Sequence, residues 1–266
     1  MAPASLAVEG IHPASTPRHP ALVAASHPAL IASLVRPGAR ALPEPRTPTG
    51  LAPLDALLGG GFPRGQLAEL IGPRTSGRTR VLLGALSGAT ARGGWAALVD
   101  GTDGLDPASA EMLGVSLDRL LWIRCGGQLA AAWRAADVLV HGGGFELVAV
   151  DLGDLPPWAL ARTPPAVFVR LQRAVERAAT GLLVVGPRRM AGSLSAVAVA
   201  LVPRAVHWAP GGPGLLAGLE TEARLVRSRT REPGAGVRLV WTALDPGWPR
   251  PTTAATLARA AARGAP

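Results

Sequence analysis

The chain has 266 residues, 48% of them hydrophobic, which is material for one sizeable core with short appendages. Its single cysteine, the absence of His or Cys clusters at metal-ligand spacing, and the lack of any run of about 18 apolar residues argue against disulfides, protein-held metals and a membrane span. The start MAPASLAVEG lacks a secretion-signal pattern, so a cytoplasmic protein is expected. All basic groups are arginines and they are segregated: residues 1–157 carry 12 Arg against 13 acids, residues 158–266 carry 15 Arg against 5, which favours a polyanionic partner, nucleic acid foremost, over mere arginine drift.

Residues 1–46 are rich in Pro and Ala and read as an arm. HPALIASLV at 27–35 is its only helix-like stretch, placing Leu30, Ile31, Leu34 and Val35 together as a candidate docking patch. A core is expected over 47–245. Leu51, Leu54, Leu57 and Leu58 have helical spacing, glycines 59–61 end that helix, and LAELI begins a strand that runs into a glycine loop. Then follow a helix (RVLLGALSGATARG), a buried strand (WAALVD, 95–100), a short helix (PASAEMLG), and a strand (LLWIRC, 120–125). A helix (AAAWRAADVLVHGG), a buried strand (ELVAVDL, 146–152), a helix (164–180) and a strand (GLLVVG, 181–186) complete the series. Such alternation predicts an α/β fold with a mainly parallel sheet flanked by helices on both faces. Beyond residue 186 AVAVALV, AVHWAP, EARLVRSRTRE and VRLVWTAL read as separate short strands, an antiparallel extension whose last two strands form a hairpin across PGAG. Residues 246–266 read as a basic tail in which Leu257, Arg259 and Arg263 share a short helix. Trp122, Trp133 and Trp158 each neighbour an apolar pattern and are expected to fill the core rather than to serve as base-stacking platforms.

GPRTSGRT at 72–79 has the phosphate-loop spacing GxxxxGK[ST] between a predicted strand and a predicted helix, the context such a loop requires. Gly72 and Gly77 would let backbone N–H groups turn toward phosphates, and the Thr79 hydroxyl would reach Mg²⁺. Position 78 is Arg78 where the pattern has lysine, and a planar guanidinium does not replace a slim ammonium. Asp151 ends a buried strand where a carboxylate can act on Mg²⁺, as a Walker B aspartate does. ATP with Mg²⁺ is therefore the one cofactor considered, and a relic loop that binds no nucleotide is the alternative. Asp100, Asp103 and Asp106 follow the strand WAALVD, and caps and surface roles explain them more simply than catalysis.

Four blocks resemble the bacterial recombinase RecA in order: PTGLAPLDALLGGGFPRGQLAELIGPRTSGRT, LVDGTDGLDPASAEMLGVSLDRLLW, ELVAVDL and EARLVRSRTREPGAG. The resemblance implies a RecA-like phosphate-loop core over about residues 47–245. It aligns the recombinase's loop lysine with Arg78 and its catalytic glutamate with Thr102, which cannot serve as a general base, so little or no hydrolysis is expected. By the same resemblance the DNA-facing loops correspond to 152–165, with Arg162, and 187–196, with Arg188 and Arg189; both look short and without a clear stacking aromatic. Arg227 and Arg229 align with lysines that reach a neighbouring subunit's nucleotide. With Arg231 they alternate at period two, predicting a stripe on one strand face that either binds phosphate or keeps an edge soluble.

A shorter RecA-like chain with these departures, a Pro-rich arm and a basic tail is similar to the ImuA family, described as RecA-like or SulA-related. That resemblance implies an accessory role in DNA damage-induced (SOS) translesion synthesis. Its implied partners are an ImuB-type polymerase-like protein, an error-prone C-family polymerase, DNA and RecA. Two other readings stand beside it: a DNA-dependent ATPase or recombinase paralogue, and a SulA-like interaction protein without affinity for nucleic acid.

Overall fold

The computed structural model describes residues 45–209 and 215–242. The arm up to residue 44 and the tail from 246, with their expected helices, lie outside the described residues. The chain enters through a two-residue strand β1 (Arg46–Thr47) antiparallel to β2 (Phe62–Pro63), so Arg46, the last residue of the expected arm, already belongs to the fold. Between them α1 (Ala52–Leu58) buries Leu54, Leu57 and Leu58 and stops at Gly59, whose left-handed φ of 77° turns the chain away. Then come β3 (Leu67–Ile71), α2 (Arg78–Thr90), β4 (Ala96–Asp100), α3 (Pro107–Met112), β5 (Leu120–Arg124), α4 (Leu129–Gly142) and β6 (Leu147–Asp151). The series continues through α5 (Pro157–Leu160), α6 (Pro165–Ala178) and β7 (Gly181–Gly186).

Period-two alternation along the buried strands sorts the core into two layers. Ala68, Leu70, Ala96, Leu98, Leu147, Ala149, Leu183 and Val185 face α1 and α2. Leu67, Ala97, Val99, Val148, Val150, Leu182 and Val184 face α4 and α6. Helix α6 shows why the second layer forms: Phe168, Leu171, Ala174 and Val175 recur at i, i+3, i+6 and i+7 and are buried, while arginines occupy the opposite face. On the first layer α2 approaches the segment 48–49 so closely that a Cβ on Gly88 would lie 2.0 Å from the Pro48 carbonyl oxygen.

The strand order is β10-β9-β8-β3-β7-β6-β4-β5, parallel from β8 through β3 to β5 and antiparallel across β8, β9 and β10, as expected for a parallel sheet with a C-terminal extension. One expectation is corrected. AVAVALV and AVHWAP are one continuous strand, β8 (Val197–Trp208), and the register against β9 (Leu216–Ser228) shifts between Pro203 and Ala205. Proline removes a ladder donor, and a bulge absorbs that loss without ending the strand. The expected hairpin of β9 with β10 (Gly236–Thr242) is present.

The extension carries ion pairs in which Arg204 and Arg224 both grip Glu222 at the surface, and Arg238 grips the buried Glu220. Hydrogen bonds from Arg224 and then Arg204 hold the Glu222 carboxyl down to about 2 from its usual 4.5. A depressed carboxyl stabilises the fold above its unfolded value and loses that contribution as pH falls toward the folded one. The melting temperature of the native chain should therefore fall more steeply between pH 4.5 and about 2 than that of Glu222→Gln. The gap should shrink in salt, since these groups are exposed; parallel curves at low salt would dismiss the network as a stabilising feature.

Candidate nucleotide and nucleic-acid site

The glycine turn at 72–79, Asp151 and the two loops expected to face DNA gather where the parallel strands end, whereas Arg227, Arg229 and Arg231 lie at the opposite edge of the sheet, beside the start of β8 and the end of α1. After β3 the Gly72 N–H donates to Gly186 O at 3.1 Å, residues 74–76 make one tight turn, and Gly77 adopts φ 83°, ψ 16° before α2 begins. The last strands of the extension support this loop. Thr221 Oγ1 donates to the Ser76 carbonyl at 2.9 Å, and the buried Trp241 ring lies against Gly77. A turn of this kind at a helix N-terminus can hold an anion, and Thr79 is exposed in the first turn of α2.

Arg78 does not point outward from that turn. Only 5% of it is exposed, and its guanidinium donates to Gly72 O at 2.9 Å and Gly153 O at 3.2 Å while pairing with Asp154 at 3.3 Å. A planar fork can serve three acceptors at once, and here it ties the glycine turn to the segment after β6. Asp151 helps fix the same segment by accepting the Gly153 N–H at 2.9 Å. Burial pushes the Asp151 carboxyl above the usual range; the Gly153 N–H and Arg78 oppose that shift, and Asp100 and Asp154 reinforce it.

The three aspartates after β4 have structural roles. Asp100 is buried and accepts from the Thr102, Gly104 and Leu105 N–H groups and from the Trp122 indole. Asp103, at φ 60°, pairs with Arg124, and Asp106 caps α3 through the Ser109 N–H. Thr102 is half-buried at the base position implied by the alignment.

The two loops expected to face DNA leave adjacent strands, β6 and β7, and share one apolar cluster: Leu152, Leu155 and Leu160 from the first, Ala191 with Met190 from the second. Arg162, Arg188 and Arg189 are all exposed. The second loop is fastened by Glu69, a carboxylate in the middle of buried β3. It accepts the Met190 and Ala191 N–H groups at 2.6 and 2.9 Å and lies 3.7 Å from Arg189. A charge inside a buried strand must find partners, and LAELI displays that signal, which sequence reasoning passed over.

Two expectations fail here. Arg227, Arg229 and Arg231 form no stripe, because β9 ends at Ser228 and its register shifts beside Arg227. Arg227 donates to the Ser193 and Ser195 carbonyls, Arg229 is exposed beyond the strand, and Arg231 reaches back to Ala56 O at 3.1 Å at the end of α1. Trp158 is not core: Trp133 is buried edge-on against Phe168 and Trp122 is part-buried, but Trp158 is 67% exposed on the first loop. That loop therefore does carry an exposed aromatic.

With this geometry in place, residues 36–159 match the family model of the RecA N-terminal domain. The RecA protein of Lactobacillus delbrueckii subsp. bulgaricus is 42% identical over 105 residues, covering 39% of this chain and 31% of that protein. That of Methylococcus capsulatus is 46% identical over 107 residues, covering 39% and 30%. The chain thus spans about a third of the length of the curated relatives it matches. The crystal structure of the RadB recombinase superposes with a TM-score of 0.55 at 22% identity over 72% of this chain and 94% of that one, which shows the fold. Among the described residues no helix is long and apolar enough to cross a membrane.

Proposed function

We propose that this chain, RecA-like over residues 36–159 and folded as a recombinase core, is a non-hydrolysing accessory protein of DNA damage-induced translesion synthesis. In this reading the core is a scaffold. It holds DNA at the arginine-bearing loops after β6 and β7 and brings in an ImuB-type protein, an error-prone C-family polymerase and RecA, the partners that the ImuA resemblance implies.

The observation that carries the reading is the place of Arg78. Phosphoryl transfer asks for a cation free to follow charge onto the departing phosphate. The Arg78 guanidinium is instead committed to Gly72 O, Gly153 O and Asp154, and Thr102 offers no carboxylate to orient water. The loop backbone, Thr79 and Asp151 fit a nucleotide phosphate with Mg²⁺; the side chain at 78 does not fit the catalytic part. ATP would then be a bound ligand at most.

Hydrolysis by the full chain, with and without single-stranded DNA, tests this against the recombinase-paralogue alternative. No turnover is expected from the native protein, and the double variant Arg78→Lys, Thr102→Glu should gain a measurable rate. DNA-stimulated hydrolysis by the native chain would overturn the proposal in favour of a working ATPase.

A further inference from the structure

We propose that Trp158 is a stacking platform for the bases of single-stranded nucleic acid, presented by a rigid step on the loop after β6. The inference rests on the nucleic-acid reading above and adds to it the kind of strand preferred.

The mount is built rather than loose. Leu155 and Leu160, before and after Trp158 in the sequence, are buried, and Pro157 starts the short helix α5. The Leu160, Ala161 and Arg162 N–H groups donate to the carbonyls of Pro156, Pro157 and Ala159. The loop's far end is pinned by the Trp133 indole, which donates to Thr163 Oγ1 at 3.1 Å. A segment anchored by two buried leucines and a buried tryptophan nevertheless leaves its own tryptophan two-thirds exposed. Trp95 and Trp208 are exposed as well, so it is the mount and not the exposure that sets Trp158 apart: a ring held in place by an ordered loop loses little freedom when a flat partner stacks on it.

The surrounding charge identifies that partner. Arg162 lies on the same loop, Arg188 and Arg189 on the adjacent one, and neither Arg162 nor Arg188 has an ion-pair partner among the described residues. The one carboxylate at the tip of the first loop, Asp154, is already engaged by Arg78 and Arg74. An aromatic face among uncompensated arginines matches a ligand that alternates phosphates with planar bases. Paired bases hide their faces in the duplex stack, so the ring favours a single strand.

The test is anisotropy of labelled oligothymidylate, its duplex with oligoadenylate, and an abasic oligomer against the full chain over a salt series. Trp158→Ala should weaken oligothymidylate binding roughly tenfold with the salt dependence unchanged. Trp158→Phe should restore most of the affinity, and the abasic oligomer should not distinguish the variants. Arg162→Ala should instead flatten the salt dependence. Because the ring is exposed, Trp158→Ala should unfold as the native chain does, and an unfolding curve checks this. Unchanged oligothymidylate affinity in Trp158→Ala, beside salt-dependent binding by the native chain, overturns the stacking role and leaves the basic edge standing. A native chain that binds no oligothymidylate at low salt removes the nucleic-acid reading itself.

Discussion

Gly77→Ala is expected to cost the fold about 3–5 kcal/mol, a large share of the 5–15 kcal/mol typical of a domain. Two costs combine. The residue sits at φ 83°, where any side chain is strained, and a Cβ there would lie 2.4 and 2.5 Å from ring atoms of Trp241. Trp241 is only 4% exposed and packs among the core residues of β9, β10 and α2, so the ring has nowhere to retreat. Urea unfolding reads the loss. Repeating the substitution in a Trp241→Leu background separates the two costs, since the steric part should disappear and the backbone part remain. A Gly77→Ala protein with the midpoint of the native chain would show that the loop does not rest on the ring.

The second large effect is expected at Arg78. Arg78→Ala takes the guanidinium donor from the Gly72 and Gly153 carbonyls and leaves Asp154 with Arg74 alone, at about 2–4 kcal/mol for a buried charged group. Arg78→Lys should recover only part of this, because a single ammonium cannot serve Gly72, Gly153 and Asp154 together. Hydrogen exchange gives the local signature. The Gly153 amide, held by Asp151, and the Leu155 amide, bonded to Leu152 O, should lose protection in the alanine variant. Protection at native level, or a stability change below about 0.5 kcal/mol, would mean that the guanidinium is a passenger.

The layered sheet was legible because its determinants are local. Buried runs such as LVAVD and LLVVG, turns at Gly and Pro, and the period of α6 each declare an element within a few residues. The strand, glycine turn and helix around residues 72–79 were legible for the same reason. Their surroundings were not: Arg78 meets Gly153 75 residues on, Glu69 meets Met190 121 residues on, and Thr221 meets Ser76 145 residues back. No window of sequence contains any of these three pairings. The arginine stripe failed because period two holds only while the strand lasts, and β9 stops one residue after Arg227. Trp158 misled for a related reason. Its apolar neighbours Leu155 and Leu160 are core, but a four-residue helix turned the ring between them toward solvent.

The order in which the chain is made bears on that phosphate loop. Its turn is specified early, at residues 72–79, yet what it rests on, Thr221 and Trp241, is among the last described segments to leave a ribosome. At the opposite edge of the sheet Arg231 likewise reaches far back, to the end of α1, 175 residues upstream. A nascent chain released only as far as β7 would hold the central parallel strands and an unsupported turn above an open apolar layer. Completion of β9 and β10 is then the event that fixes the turn, so a premature stop between the end of β7 and residue 241 is expected to leave the central parallel strands paired and the turn without Trp241 beneath it, a form exposed to aggregation and to proteases.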